Sequence, residues 1–333
     1  MSKKVLHDNH GRTINYVRLA VTDRCNLRCF YCMPEEGIQY VPKEHLLTYE
    51  EMERTIQFLA NMGIEKVRIT GGEPFVRKGM IDFLTRLSRI QGIQQIHLTT
   101  NGTTTASLVP RLKKIGIRSI NLSLDSLDPD RFFEITRRNV FHQVMKTFEA
   151  LLQQGITTKI NTVVMGGRNT ADIIPMAQLT KKYPVSVRFI EEMPFNGSGG
   201  KAAMIPWNHQ QILAHLKSQY PDLRKIPDPL YSTSANYQIP GHRGSIGIIA
   251  AYSRTFCGTC NRIRITPKGL LKTCLYDDGV FNLRDFLRSG ATDQDLRTLF
   301  LEALGNRAKD GFEAERQRNF GRPISESMST IGG

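Results

Sequence analysis

No stretch of the 333 residues is apolar for long enough to span a bilayer. The opening Met1-Ser2-Lys3-Lys4-Val5-Leu6-His7-Asp8 lacks the apolar run of a secretory signal. Cysteine is scarce as well: six thiols fall in two groups of three, which is not the disulfide framework of a small secreted domain. A reducing compartment, the cytoplasm, is the expected setting. Acidic residues fall short of basic ones, 31 against 45, leaving a formal net charge of +14. A surplus of that size ordinarily points to nucleic acid. Here, though, the basic residues are scattered singly or in pairs such as Lys113-Lys114, Arg137-Arg138 and Lys181-Lys182. They lack the aromatic interleaving of a single-strand platform. Neither nucleic acid nor a membrane is expected as a partner, and some of the charge is free to converge on a small polyanion, since the arginine fork matches phosphate.

What is present is alternation. Segments rich in Ile, Val or Thr at 17–21, 66–70, 95–99, 118–124, 158–164 and 185–190 read as strands. Helical segments fill the gaps near 49–62, 80–90, 106–115, 142–154 and 171–183, several closed by Gly63, Gly92, Gly116 or Gly155. Thr48-Tyr49-Glu50-Glu51 has the form of a capping box. Six such βα repeats predict an α/β fold, a parallel sheet with right-handed crossovers curled into a partial (βα)6 TIM-like barrel. In such barrels functional groups gather at the carboxyl ends of strands. Non-periodic polar residues stand there in five loops: the first cysteine group, Gly71-Gly72-Glu73-Pro74, Thr99-Thr100-Asn101-Gly102, Ser123-Leu124-Asp125-Ser126 and Glu191-Glu192-Met193-Pro194.

The first cysteine group is Cys25, Cys29 and Cys32, spaced four and then three residues apart. A CxxC pair is often half of a zinc site, which normally closes with four ligands. No fourth cysteine or histidine lies close enough to complete a local knuckle, and the nearest histidine, His45, sits beyond a loop. Three thiolates on a cubane cluster leave one iron free to bind a small molecule. Zinc and cluster both remain open on ligand count.

Cys-x3-Cys-x2-Cys with Tyr31 before the third cysteine resembles the signature of the radical S-adenosylmethionine (SAM) enzymes. The resemblance implies a 4Fe-4S cluster whose open iron chelates SAM, and reductive cleavage to a 5′-deoxyadenosyl radical. Gly71-Gly72-Glu73-Pro74 resembles the loop of that family whose backbone pairs with the SAM amino group. By the same resemblance Gly72, Tyr31, Ser123 and Met193 are expected around the cofactor.

The second group is Cys257-Gly258-Thr259-Cys260, with thirteen residues between Cys260 and Cys274, a length that fits a hairpin turning at Pro267-Lys268-Gly269. A structural zinc would be incomplete with three thiols. The run Phe256-Cys257-x-x-Cys260-Asn261-Arg262-x-Arg264-x-Thr266 and the tail Met328-Ser329-Thr330-Ile331-Gly332-Gly333 resemble the GTP-cyclising branch of the radical SAM family, which opens molybdenum cofactor synthesis. The likeness runs from Arg18 to the carboxyl terminus. It implies a partial barrel at 1–195 and an auxiliary-cluster domain at 244–333; between them 196–243, rich in Gly, Pro and Ser with one helical stretch near 210–218, reads as a linker and cover. Cys257, Cys260 and Cys274 would hold a second 4Fe-4S cluster, whose open iron takes the guanine of GTP. Arg18, Lys66, Arg68, Thr99, Lys159, Arg188, Arg262 and Arg264 are the implied GTP contacts. Arg262, Arg264, Gly332 and Gly333 are the implied catalytic residues. The implied reaction abstracts hydrogen from the ribose C3′ and joins that carbon to C8 of the guanine. An external reductant, a homodimer and handover of the product to the next enzyme come with the resemblance. The expected rivals are a peptide-modifying radical SAM enzyme with an auxiliary cluster, and a zinc-containing nucleic-acid-binding protein.

Overall fold

In a computed structural model, which describes residues 5–195, 207–318 and 326–332, six strands follow one another in parallel. They are β1 (Tyr16–Ala20), β2 (Lys66–Thr70), β3 (Gln95–Thr100), β4 (Ser119–Ser123), β5 (Thr157–Val164) and β6 (Ser186–Glu191). Each lies within about one residue of its expected range. The helices Tyr49–Asn61, Met80–Leu87, Val109–Ile115, Phe141–Gln153 and Ile173–Lys182 alternate with them. The first opens on the reciprocal cap foreseen: Thr48 Oγ1 accepts from Glu51 N at 3.1 Å, and Glu51 Oε2 accepts from Thr48 N at 2.8 Å.

The strands alternate with period two, so one face packs on helices and the other faces inward. Val17, Leu19, Val67, Ile69, Leu98 and Ile120 are fully buried in one cluster with Met52, Ile56, Leu59, Phe83 and Leu112 from the helices. The intervening residues turn inward, and the parallel register stacks Arg264, Arg18, Arg68 and His97 in one row across four strands.

Two strands of the carboxyl-terminal region complete the wall. β7 (Ser245–Ile249) adds in parallel beside β6, and β8 (Arg262–Ile265) adds in parallel beside β1. β9 (Leu270–Lys272) turns back antiparallel to β8. The hairpin was foreseen; its attachment was not. Strands from the stretch read as the auxiliary-cluster domain extend the barrel sheet itself, twelve strands in one order. The physical reason is that open edges at β1 and β6 present unpaired backbone groups which another strand must cover. The stretch expected as linker and cover carries the helix expected near 210–218, His209–Gln219, and adds the strands Arg224–Lys225 and Ala235–Gln238, the last pairing with β7. Residues 196–206 of that stretch lie outside those described.

This topology separates the two cysteine groups. The loop carrying Cys25 leaves the carboxyl end of β1, whereas Cys257 and Cys260 precede β8, which runs parallel to β1. Cys274 follows β9, whose end lies beside the start of β8. One trio therefore sits at each end of the barrel. No helix among the described residues is long and apolar enough to cross a membrane.

Candidate active site

The barrel interior is a cavity of about 430 Å³. Barrel interiors are usually filled by branched apolar side chains. Here the inward positions of β1, β2, β5, β6 and β8 carry Arg18, Lys66, Arg68, Lys159, Arg188, Arg262 and Arg264, all of which line the space with Thr99 and Ser123. Cations do not pack against one another, so the interior stays open. Burial, followed by repulsion from Arg188 and Arg68, lowers Lys159 to about 8. Burial and then Arg68 lower Arg188 to about 10. His97, buried beside Arg68, falls to about 3 and is neutral. Among the described residues, Arg18 Nε, Arg188 Nε, Asn121 Oδ1 and Asn161 Oδ1 are buried with no hydrogen-bond partner. Buried polar atoms left unpaired cost about 1–3 kcal/mol each, and a polyanionic ligand satisfies the two arginine donors and the cations together.

At the carboxyl end of the barrel, the first cysteine loop is held by backbone. Gly72 N donates to Thr22 O at 2.7 Å and Glu73 N to Arg24 O at 2.9 Å. A Cβ on Gly71 would lie 2.4 Å from Thr22 O, and one on Gly72 2.2 Å from Arg24 O. Both glycines are therefore demanded by contact within the protein. Glu73, which the sequence offered only as part of a motif, ties this loop to its neighbour. Its carboxylate accepts from Asn101 N at 2.7 Å, Thr100 Oγ1 at 2.8 Å and Phe75 N at 3.2 Å. Burial outweighs those bonds and raises it to about 7. Asn101 Nδ2 in turn donates toward Cys25 Sγ at 3.7 Å. Tyr31 is aimed by Asp125, whose Oδ2 accepts from the phenol at 2.8 Å while Oδ1 accepts from Val163 N at 2.8 Å.

At the other end two arginines converge on Cys260. Arg262 Nη2 donates to its Sγ at 3.6 Å and Arg307 Nη2 at 3.1 Å. Burial alone would raise this thiol, but Arg262 and Arg307 outweigh it and bring it to about 6. Arg307 also donates to the carbonyls of Thr273, Cys260 and Arg262 at 3.0 Å each, and to Asp8 Oδ2 at 3.0 Å. Asp8 lies in the amino-terminal hairpin and is shared with Arg12, whose Nη1 reaches Cys257 O at 3.2 Å. One buried guanidinium thus fixes the loops of Cys260 and Cys274. Arg307→Met should destabilise the protein by about 3 kcal/mol, since removing one partner of a buried pair costs roughly 3–5 and Arg12 still neutralises Asp8. A urea midpoint lowered at unchanged m-value reads that loss directly.

The tail joins the two ends. Ser327 Oγ donates to Cys32 O at 2.6 Å, Met328 N to Phe195 O at 3.0 Å, and Lys272 Nζ to Glu326 Oε2 at 2.8 Å. Arg264 Nη1 donates to Gly332 O at 2.7 Å. Gly332 has φ +75°, and a Cβ there would approach Ala20 Cβ to 2.8 Å and Thr70 Cγ2 to 3.1 Å. Gly333 lies outside the described residues.

The cavity wall also contains Tyr31, Gly72, Met193 and all six cysteines, so the expected cofactor and substrate positions meet in one space. Gly332 is bonded to that wall through Arg264. The thiols carry no disulfide. Burial pushes Cys25 up to about 12 and Cys274 to about 11. Neutral thiols so placed are poor nucleophiles, and a bound metal group supplies the positive charge that ionises them. No group of three or more His, Cys, Asp or Glu among the described residues converges on a single metal ion. A cluster takes three thiolates and leaves one iron open, whereas a closed zinc knuckle wants a fourth ligand that neither trio supplies in sequence. Both trios fit a 4Fe-4S cluster with one open iron.

Residues 19–180 match the Radical SAM superfamily and residues 185–312 match Molybdenum Cofactor Synthesis C. The two matches meet ahead of the boundary expected at 195. Streptococcus suis SuiB has the same fold, with a TM-score of 0.61 at 13% identity over 96% of this chain and 77% of that one. Native anSMEcpe, solved with AdoMet and the Cp18Cys peptide, gives 0.55 at 17% identity over 88% and 84%. At such identities the likeness is one of fold. Fold and site together define a radical SAM protein, with two 4Fe-4S clusters and SAM as its cofactors. The "GTP 3′,8-cyclase" of Syntrophomonas wolfei is 40% identical over 334 residues, 98% of this chain and 99% of that protein. "Molybdenum cofactor biosynthesis protein 1" of Homo sapiens is 42% identical over 311 residues, 91% of this chain and 48% of that protein, so the chain spans about half its length. The chain belongs to the GTP 3′,8-cyclase family.

Proposed function

We propose that this chain binds GTP across the barrel and converts it to (8S)-3′,8-cyclo-7,8-dihydroguanosine 5′-triphosphate, the opening step of molybdopterin synthesis. The observation that carries this reading is a polycationic cavity, with buried arginine donors unpartnered among the described residues, running between two cysteine trios. When bound, the cofactors supply a hydrogen-abstracting carbon radical at one end and an open iron and an electron at the other. The chain's own residues do the positioning. Arg18, Lys66, Arg68, Lys159 and Arg188 match a triphosphate, Thr99 and Ser123 line the wall between the ends, and Arg262 and Arg264 flank the second trio. Exclusion of bulk water strengthens each charge contact, and fixing C3′ against C8 turns the ring closure into an intramolecular event. Gly332 carries the tail toward the same space, with Arg264 as its anchor. A peptide substrate offers no polyanion to match these cations. The reading also brings an external reductant, a homodimer, handover of the product to the next enzyme of the route, and a cytoplasmic setting.

The test is anaerobic turnover of the iron- and sulfide-reconstituted protein with SAM, dithionite and GTP, followed by mass spectrometry. Equimolar 5′-deoxyadenosine and a cyclised GTP isomer are expected. Formation of 5′-deoxyadenosine with GTP left intact would remove GTP as substrate.

A further inference from the structure

One group on the cavity wall has no part in the roles given so far. Tyr16, at the amino end of β1, is 6% exposed and its phenol lines the cavity. It pairs in register with Arg262 of β8, which touches Cys260, and with Lys66 of β2. It therefore stands at the end of the barrel where the second trio lies. Its oxygen accepts from Arg68 Nε at 2.7 Å, and the Lys66 ammonium lies 5.0 Å from its ring centroid. The phenol hydrogen itself has no acceptor among the described residues, so it is available to a ligand.

The ring closure needs such a hydrogen. Once C3′ has lost its hydrogen atom, the C3′–C8 bond forms as the C8–N7 double bond opens, and the odd electron moves onto the purine. One electron from a low-potential one-electron donor and one proton to N7 then complete the 7,8-dihydro ring. The charged groups acting on Tyr16 are Arg18 from its own strand, Lys66 and Arg68 from β2, Lys159 from β5, Arg188 from β6 and Arg262 from β8. Arginines hold their protons, and His97, behind Arg68, is neutral. Lys159, lowered to about 8, is the other group that can give a proton, and fluorinating the ring of Tyr16 would leave its titration in place.

We propose that Tyr16 is the proton donor of the cyclisation, its O–H bond breaking toward N7 of the purine and the resulting phenolate being held by Arg18, Arg68 and Arg262. Solvent returns the proton on product release. This rests on the GTP reading above. Supporting it, burial would raise the phenol, but Arg68, Arg18 and Arg262 outweigh burial and bring it to about 7, close to the range in which a general acid works best.

The experiment uses the reconstituted enzyme with GTP deuterated at C3′, counting cyclised product per deuterated 5′-deoxyadenosine in single turnover across pH. In the wild type that ratio should fall as pH rises through the phenol's titration, because only the protonated form donates. In Tyr16→Phe the ratio should drop by about 100-fold at neutral pH and lose its alkaline limb. Replacement of Tyr16 by 3,5-difluorotyrosine, a more acidic phenol of nearly the same shape, should move the limb to lower pH; this keeps the test decisive should the phenylalanine variant fold poorly. A wild-type ratio in Tyr16→Phe, or a limb that the fluorinated ring leaves in place, overturns the proposal, since a phenol that only positions Arg68 would change GTP affinity and not the ratio. Absence of deuterium transfer in the wild type would instead overturn the GTP reading, and this inference with it.

Discussion

Gly72→Ala should reduce 5′-deoxyadenosine formation by about 100-fold, a loss of the size that follows from misplacing a reacting geometry by about 1 Å. The added methyl would sit 2.2 Å from Arg24 O and 2.6 Å from Arg24 C. Those atoms are backbone, so no side chain can swing aside. Relief must come from moving either the residues that lead into Cys25 or the strand-end loop that carries Glu73. The first shifts a thiol; the second breaks the bonds from Glu73 to Asn101 and Thr100, and Asn101 is itself a donor to Cys25. Either way SAM loses its seat. The same substitution at Gly258, between the two cysteines of the other group, meets nothing within 4 Å and should be nearly silent. Equilibrium dialysis with labelled SAM on both variants checks the contrast. Equal affinity in the two would show that the contact at Arg24 relaxes without consequence.

The second large effect concerns the separation of the ends. Cys29→Ala should abolish SAM cleavage altogether, whereas Cys260→Ala should abolish cyclisation while SAM cleavage continues without product; each variant should retain about half the iron of the wild type. The reason lies in the supports. Cys25, Cys29 and Cys32 rest on Asn101, Glu73 and Ser327 at the carboxyl ends of the strands. Cys260 and Cys274 rest on Arg307, with Cys260 also on Arg262 and Cys274 also on Asp277, which accepts from Cys274 N at 2.7 Å. The two sets share no residue. Iron analysis, with 5′-deoxyadenosine and product quantified from the same samples, reads both halves at once. Loss of all iron in Cys260→Ala would mean that the tail contacts at Ser327 and Arg264 couple the two sites more tightly than these supports indicate.

Much of this was legible in the chain. The barrel strands are so concentrated in Ile, Val and Thr that their ends are legible to within about a residue, and Thr48 and Glu51 announce the first helix through local hydrogen bonding alone. The cysteine spacings were equally open to reading, because ligands to one cluster are gathered on a short loop. Other parts were closed to it. Asp125 looked like one more loop carboxylate until Tyr31, 94 residues away, was found to donate to it. Arg307 carried no local signal, and its partner Asp8 is 299 residues distant. Tyr16 fell just outside the apolar run that marked its strand. The edge strands between 224 and 238 are short and interrupted by Pro and Ser, so they showed no period.

By itself the sequence determined the chemistry: two thiol trios, a surplus of arginine and lysine, and a βα alternation, each specified by residues near one another in the chain. Only the tertiary structure decided where that chemistry meets. Whether β8 joins the free edge of β1 or packs as a domain of its own depends on which backbone groups lack partners once the barrel has formed. That choice puts the second trio at the opposite end of the barrel from the first and stacks the basic residues of five strands around the space between. Strand pairing is a long-range interaction that pattern and propensity do not encode locally, whereas ligand spacing and helix caps are local by nature.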